Sequence, residues 1–233
     1  DFWQPLTEVF SWAKQNVTSI LCSCLATHAL IEHCYGIERT PQPQKRWGVF
    51  SHKVLERTHP LVAEINTRFD VPHSRFNEIY QQDMEQKGII VLAASREAGV
   101  HLAVSSDGIR VVFFQGHPEY DDISLLKEYK REVLHFYNGL RDDYPPYPEN
   151  YFDKNTRKIL SDYEKQVRTA KDNNSALELF PEQEILIYID NTWRDTAKAV
   201  FNNWLGKVYQ ITNQDRRLPF MEGIDPKDPL GLN

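Results

Sequence analysis

The apolar run SILCSC, residues 19–24, passes directly into LATHALIEHCYG with no turn residue between them. The first segment reads as a short strand. The second has the spacing of a helix and ends on Gly36, the residue type that closes helices in the left-handed conformation. Strand, sharp turn and helix therefore follow in one step, with Cys24 at the junction. Further apolar runs, GVFSHKVL (48–55), GIIVLAAS (88–95), VHLAVSS (100–106) and IRVVFF (109–114), read as strands. The last two join through Asp107 and Gly108 as a hairpin. A helical pattern over Ile123–Tyr137 sets Leu126, Tyr129, Val133 and Phe136 at core spacing. Strands alternating with helices predict an α/β three-layer sandwich with a partly parallel sheet.

The ends of the chain carry weaker patterns. The opening segment reads as an amphipathic helix with Pro5 in its first turn and Leu6, Val9, Phe10 and Ala13 on one face. A helix whose stripe has nothing before it to cover suggests further polypeptide upstream. The proline- and charge-rich stretch 141–175 reads as a surface excursion containing one solvated helix. Trp193, Ala197, Val200, Phe201, Trp204, Leu205 and Val208 mark a closing amphipathic helix. Residues 1–217 are accordingly assigned to one domain and 218–233 to an irregular tail. No internal repeat is present.

Composition narrows the function. With 233 residues, 41% of them hydrophobic, the chain is long enough for a sizeable core. Its net charge of −6 argues against a nucleic-acid groove or an anionic membrane as main partner. No apolar run approaches the roughly 18 residues that cross a bilayer, and no signal pattern opens the chain, so a cytoplasmic location is expected. Cys22, Cys24 and Cys34 are odd in number and lack a CxxC spacing, which disfavours a disulfide framework or a zinc ribbon. Histidines 28, 33, 52 and 73 lack metal-ligand spacing, so no metal is expected.

Chemistry concentrates in QGHPEYD (115–121), at the tip of IRVVFF. In extended chain, residues two apart project to the same side, so His117 and Glu119 point in parallel across Pro118. Ligands of open α/β sheets gather at strand carboxyl ends, and Cys24 sits at another such end. If the two strands are neighbours, thiol, imidazole and carboxylate form a nucleophilic triad. A free thiol is only a few per cent thiolate at pH 7, and a partner histidine lowers its pKa. The helix starting at Leu25 adds its dipole, and the Leu25 N–H can donate to an oxyanion. A lone cysteine is more often core filler, the role assigned to Cys22 and Cys34.

The elbow followed by GHPE resembles the class I glutamine amidotransferase (flavodoxin-like) fold. Within it, CLATHALIEHCYGI, KRWGVFSHKVL, VPHSRF, FQGHPEYD and NWLGKVYQIT resemble the homoserine O-acyltransferase family, over residue 1 to about Asp215. That resemblance implies a Cys24 acylated by acetyl-CoA or succinyl-CoA as co-substrate, with no bound cofactor. His117 would be the general base and Glu119 its orienting partner. Lys45, Ser74 and Arg131 would contact substrates, L-homoserine being the acceptor, in methionine biosynthesis. Glu128, three residues before Arg131 and so on the same helix face, would complete a carboxylate–guanidinium pair complementary to the homoserine zwitterion, where the spacing alone reads as an ordinary surface ion pair. It also implies a homodimer. The donor stays open, with a lean toward acetyl. Cys22 and Ala26 occupy positions where amidotransferases carry glycine, which counts against glutaminase activity. Serine acetylation, an amidotransferase subunit and a non-catalytic interaction module are the alternatives. Arg39, Lys45, Arg46 and Lys53 could meet coenzyme A phosphates.

Overall fold

In a computed structural model, which describes residues 2–215 and 217–232, the chain divides into two compact units. The first comprises residues 2–46, 50–118 and 193–232 apart from 216; the second comprises Trp47–Val49 and Glu119–Thr192.

The first unit is built on a six-stranded sheet in the order β1-β6-β5-β4-β2-β3. Its strands are β1 (Ile20–Ser23), β2 (Thr40–Val54), β3 (Arg68–Glu78), β4 (Ile90–Ser95), β5 (Gly99–Val104) and β6 (Val111–Phe114). β1 runs parallel to β6, with Ile20 opposite Val111 and Ser23 opposite Phe114. β6 with β5, β5 with β4 and β4 with β2 pair antiparallel. The expected partly parallel sheet is present.

All four residues of β6 are buried because both faces of the sheet are covered. Val111 and Phe113 join Cys22, Val91, Val100 and Ala103 in one core with Phe10 of α1 (Trp3–Asn16), Leu30 and Ile31 of α2 (Leu25–Tyr35) and Met84 of α3 (Gln81–Gln86). Val112 and Phe114 join Leu102 and Val104 in a second core on the opposite face, with Leu61, Val62 and, from α7 (Arg194–Ile211), Val200. Each of the Val, Leu, Ile, Phe and Met side chains among them contributes roughly 1.5–3 kcal/mol relative to exposure. The result is three layers, as the alternation of elements implied.

In the second unit, α4 (Ser124–Tyr137) buries Leu125, Leu126, Tyr129, Val133 and Phe136. α5 (Lys154–Asp172) starts on Asp153, whose carboxylate accepts from the Thr156 N–H at 2.7 Å. A short α6 (Glu182–Ile185) follows. Tyr129 sits among the rings of Trp47, Tyr147, Phe152 and Phe180.

Several expectations are corrected. α5 is not merely solvated: Leu160, Tyr163, Val167 and Ala170 are buried, because they recur at helical spacing between the charges that dominate its composition. β3 was not anticipated, since Pro72 interrupts it. An edge strand tolerates a proline, and β3 lies at the sheet's edge. β2 begins at Thr40 rather than Gly48. On α1, Phe10 is buried but Val9 is 59% exposed, with Thr7 taking the inward place. On α7, Val200 is buried while Phe201 and Leu205 remain about half exposed. Residues 218–232 contain no helix or strand.

Candidate active site

Cys24 is the geometric hinge of the first unit. Its backbone takes φ 48°, ψ −111°, a conformation that costs an L-residue of order 1–3 kcal/mol and persists only where neighbours impose it. They do so here. The Cys24 N–H donates to the Phe114 carbonyl at 2.8 Å, and the Cys24 carbonyl accepts from His28 N at 3.1 Å, the first turn of α2. The Thr27 hydroxyl also donates to Phe114 O, at 2.9 Å. The chain thus leaves β1 and enters α2 within one residue, with the Cys24 side chain half-buried. The Leu25 N–H, next along, belongs to the first helical turn, whose N–H groups have no intrahelical partner.

Because β1 and β6 are adjacent, parallel and in register, their carboxyl ends open on the same edge of the sheet, about 4.8 Å apart. Cys24 continues one strand and Gln115–His117 the other. The condition set by the sequence, that the two strands be neighbours, is met. The loop after β6 is pinned: His117 N–H donates to Pro72 O at 2.8 Å, and the Ser23 hydroxyl donates to Gly116 O at 3.3 Å.

β3 borders this region. Its alternation buries His73 and Arg75 and turns half-buried Ser74 and exposed Phe76 the other way. The Lys45 ammonium lies 5.9 Å from the Phe76 ring centre, on the side of β3 that carries Ser74. Cys24, Leu25, Lys45, Ser74 and His117 thus all belong to the first unit. Glu119, Glu128 and Arg131 belong to the second.

There, Glu128 accepts from the Tyr120 hydroxyl at 2.6 Å. The exposed Arg131 guanidinium approaches Glu132 at 3.4 Å, and Glu132 is also held by Arg141 at 3.0 Å. Arg131 and Glu128 lie three residues apart and share a helix face.

The electrostatics include groups that motif reading passed over. Arg75 is 4% exposed. Its Nη1 donates to Asn77 O at 2.7 Å and its Nη2 to Ala98 O at 2.5 Å, while Glu78 lies 3.6 Å away. Burial pulls its pKa down, and Glu78 and Cys24 are the groups that favour its charge. No sequence signal marked Arg75, because β3 itself was not anticipated. His28 Nε2 lies 2.9 Å from Gln115 Oε1. That oxygen also accepts from Ile79 N, and the Gln115 amide donates to Ile79 O and Val100 O. His28 therefore acts as donor, and burial lowers its pKa to about 4. Burial raises the Cys22 thiol to about 12, consistent with inert filler. Cys22, Cys24 and Cys34 are all free thiols. Among the described residues, no group of three His, Cys, Asp or Glu side chains is arranged to hold a metal ion.

A cysteine at a strained strand-to-helix elbow beside a strand whose following loop reads Gly-His-Pro-Glu defines a class I glutamine amidotransferase-like α/β protein. Solved structures agree on the fold alone. SMU.1228c matches at TM-score 0.51 and 13% identity, covering 89% of this chain and 70% of that one. A glutamine amidotransferase from Methylobacillus flagellatus matches at TM-score 0.50 and 14% identity, covering 88% and 68%. Within that class, the homoserine O-succinyltransferase family model matches residues 1–214, and the chain belongs to that family. Homoserine O-succinyltransferase of Methylobacter tundripaludum is 75% identical over 232 residues, covering 100% of this chain and 66% of the relative. That of Methylococcus capsulatus is 65% identical over 231 residues, covering 99% and 65%. The chain spans about two thirds of the length of these relatives.

Proposed function

We propose that this protein transfers an acyl group from acyl-CoA to the hydroxyl of L-homoserine through an acyl-enzyme on Cys24. The single observation that carries this reading is the elbow. A strained Cys24 heads α2 on the strand paired in register with the one that leads to His117. Family membership supplies the substrate class.

The steps balance as a ping-pong exchange. The Cys24 thiolate attacks the thioester carbonyl, and the Leu25 N–H donates to the oxyanion. The carbon–sulfur bond to coenzyme A breaks, and the departing thiolate takes a proton from the His117 imidazolium. His117 then accepts the proton of the homoserine hydroxyl, whose oxygen attacks the acyl group and releases Cys24 as thiolate. Glu119 orients the imidazole, Arg131 grips the homoserine carboxylate and Glu128 meets its ammonium. Lys45 and Ser74 border the acyl donor. The names of the relatives favour succinyl-CoA over acetyl-CoA as the donor. No bound cofactor takes part. Among the described residues no helix is long and apolar enough to cross a membrane. We take the enzyme to be a cytoplasmic homodimer.

Intact mass after incubation with succinyl-CoA or acetyl-CoA tests the reading. A stable adduct that maps to Cys24, vanishes in Cys24→Ala and is discharged by homoserine is the expected result. No adduct from either donor, or one on Cys34, refutes it. Discharge by serine in place of homoserine would move the assignment to serine acylation, since the two acceptors differ by one methylene, worth only about 1–3 kcal/mol of discrimination.

A further inference from the structure

Behind the candidate site lie three imidazoles that the proposed reaction does not use. His52, His73 and His101 are 1%, 0% and 3% exposed. His52 and His73 stack with ring centres 5.0 Å apart, and His101 meets both edge-on. The hydrogen-bond partners determine every proton in the line. An arginine only donates, so Arg75 Nε, 3.3 Å from His73 Nδ1, makes that nitrogen an acceptor. A neutral His73 then carries its proton on Nε2 and gives it to His52 Nε2 at 3.2 Å. His52 in turn holds its proton on Nδ1, 2.8 Å from the Phe50 carbonyl. Arg75, His73, His52 and Phe50 O form one directed chain with no unassigned proton.

The chain has a load. Gly116, immediately before His117, abuts the His73 ring: a Cβ at position 116 would stand 2.8 Å from His73 Nε2 and 2.7 Å from Val71 Cγ1. The other support of the loop, the Pro72 carbonyl that accepts from His117 N–H, is the residue next to His73. The groups facing His73 are His52 on β2, Arg75 on its own strand, His101 on β5 and His117 itself; all four oppose a positive charge there.

We propose that His73 is a positioning residue: held in a single tautomer between Arg75 and His52, it is the wall against which Gly116 rests, and it sets where His117 projects beside Cys24. The proposal rests on the reading of Cys24 and His117 as a catalytic pair. It asks nothing of the acyl group or acceptor.

Site-resolved alkylation of Cys24 by iodoacetamide on the full chain, between about pH 6 and 9, where the protein stays folded, reads the pairing without substrate. The buried Cys22 stays silent, and the label on Cys34 is resolved by peptide mass. The wild-type profile sets the reference midpoint. His73→Leu keeps the volume but strands the Arg75 donor, and is expected to raise the midpoint by about one pH unit toward the ordinary thiol value near 8.5. It is also expected to cut kcat about tenfold or more with KM for both substrates within about twofold. His73→Gln, whose amide can accept from Arg75 and donate to His52, is expected to restore both. Gly116→Ala, which crowds the same wall, should mimic His73→Leu and stands in for it if that variant does not fold. Midpoints in His73→Leu and Gly116→Ala equal to wild type, or no rescue by glutamine, overturn the proposal. A wild-type midpoint near 8.5 removes the Cys24–His117 pair and the proposal with it. A low wild-type midpoint without an acyl adduct removes only the transferase reading, and the variant shifts still decide the role of His73.

Discussion

Lowering the pH from 7.5 to 5 should unfold this protein well before its carboxylates titrate. Burial lowers His28, His52 and His59 to about 4 and pushes His73 and His101 well below their ordinary value. In the unfolded chain each titrates near 6.5, so the unfolded state binds protons first. Stability is therefore complete above pH 6.5 and lost as the pH falls toward 4. At pH 5, each of the three histidines near 4 withdraws about 2 kcal/mol, roughly 6 kcal/mol together. His73 and His101 add to this in the same direction. A single domain has only about 5–15 kcal/mol to lose. The carboxylates with lowered values, Asp153, Asp162 and Asp215, titrate below this window. Urea midpoints followed by circular dichroism at half-unit steps should fall steeply from pH 6.5 and approach zero near pH 5. His52→Gln, which preserves the hydrogen bonds of His52, should lessen the slope by about one proton, near 1.4 kcal/mol per pH unit. A urea midpoint that is flat from pH 7 to 5 would refute the assignment of these imidazoles as neutral and buried.

Other expected outcomes follow from packing and backbone geometry. Val167→Ala in α5 should cost about 1–3 kcal/mol in urea unfolding, whereas a merely solvated helix would lose a few tenths. Gly48→Ala should destabilise by about 2 kcal/mol or more, because Gly48 has φ +147° and a Cβ would sit 2.2 Å from the Glu149 carbonyl; an unchanged melting temperature would contradict that geometry. Gln115→Leu should lower stability by several kcal/mol, since it leaves His28, Ile79 and Val100 without the partners that the amide supplies, and amide exchange at Ile79 reports the loss directly.

How far the sequence carried depends on where the information lay along the chain. β1, α2 and the Gly36 cap were legible because strand, elbow and helix are local patterns, and Gly36 adopts the left-handed conformation expected of it, φ 66°. β4, β5, β6 and α4 were legible for the same reason. β3 was not, because a proline inside a strand is allowed only at a sheet edge and edge position is a property of the assembled sheet. The inward face of α5 was hidden by its many charges. In the site, His117 and Cys24 stood out by residue type. His73, Arg75 and Gln115 did not, because a buried polar side chain is recognisable only by the partners that satisfy it, and those partners come from distant strands.

By itself the sequence determined the local conformations and the chemistry of the reactive groups, since periodicity, caps and residue types act over a few positions. Only the tertiary structure decided that β1 and β6 lie side by side in register, that three imidazoles share one interior, and which nitrogen carries the proton in His52 and His73. Those facts depend on pairings between residues as many as 93 apart, such as Ser23 with Gly116, and such pairings are set by how the whole sheet buries its two faces.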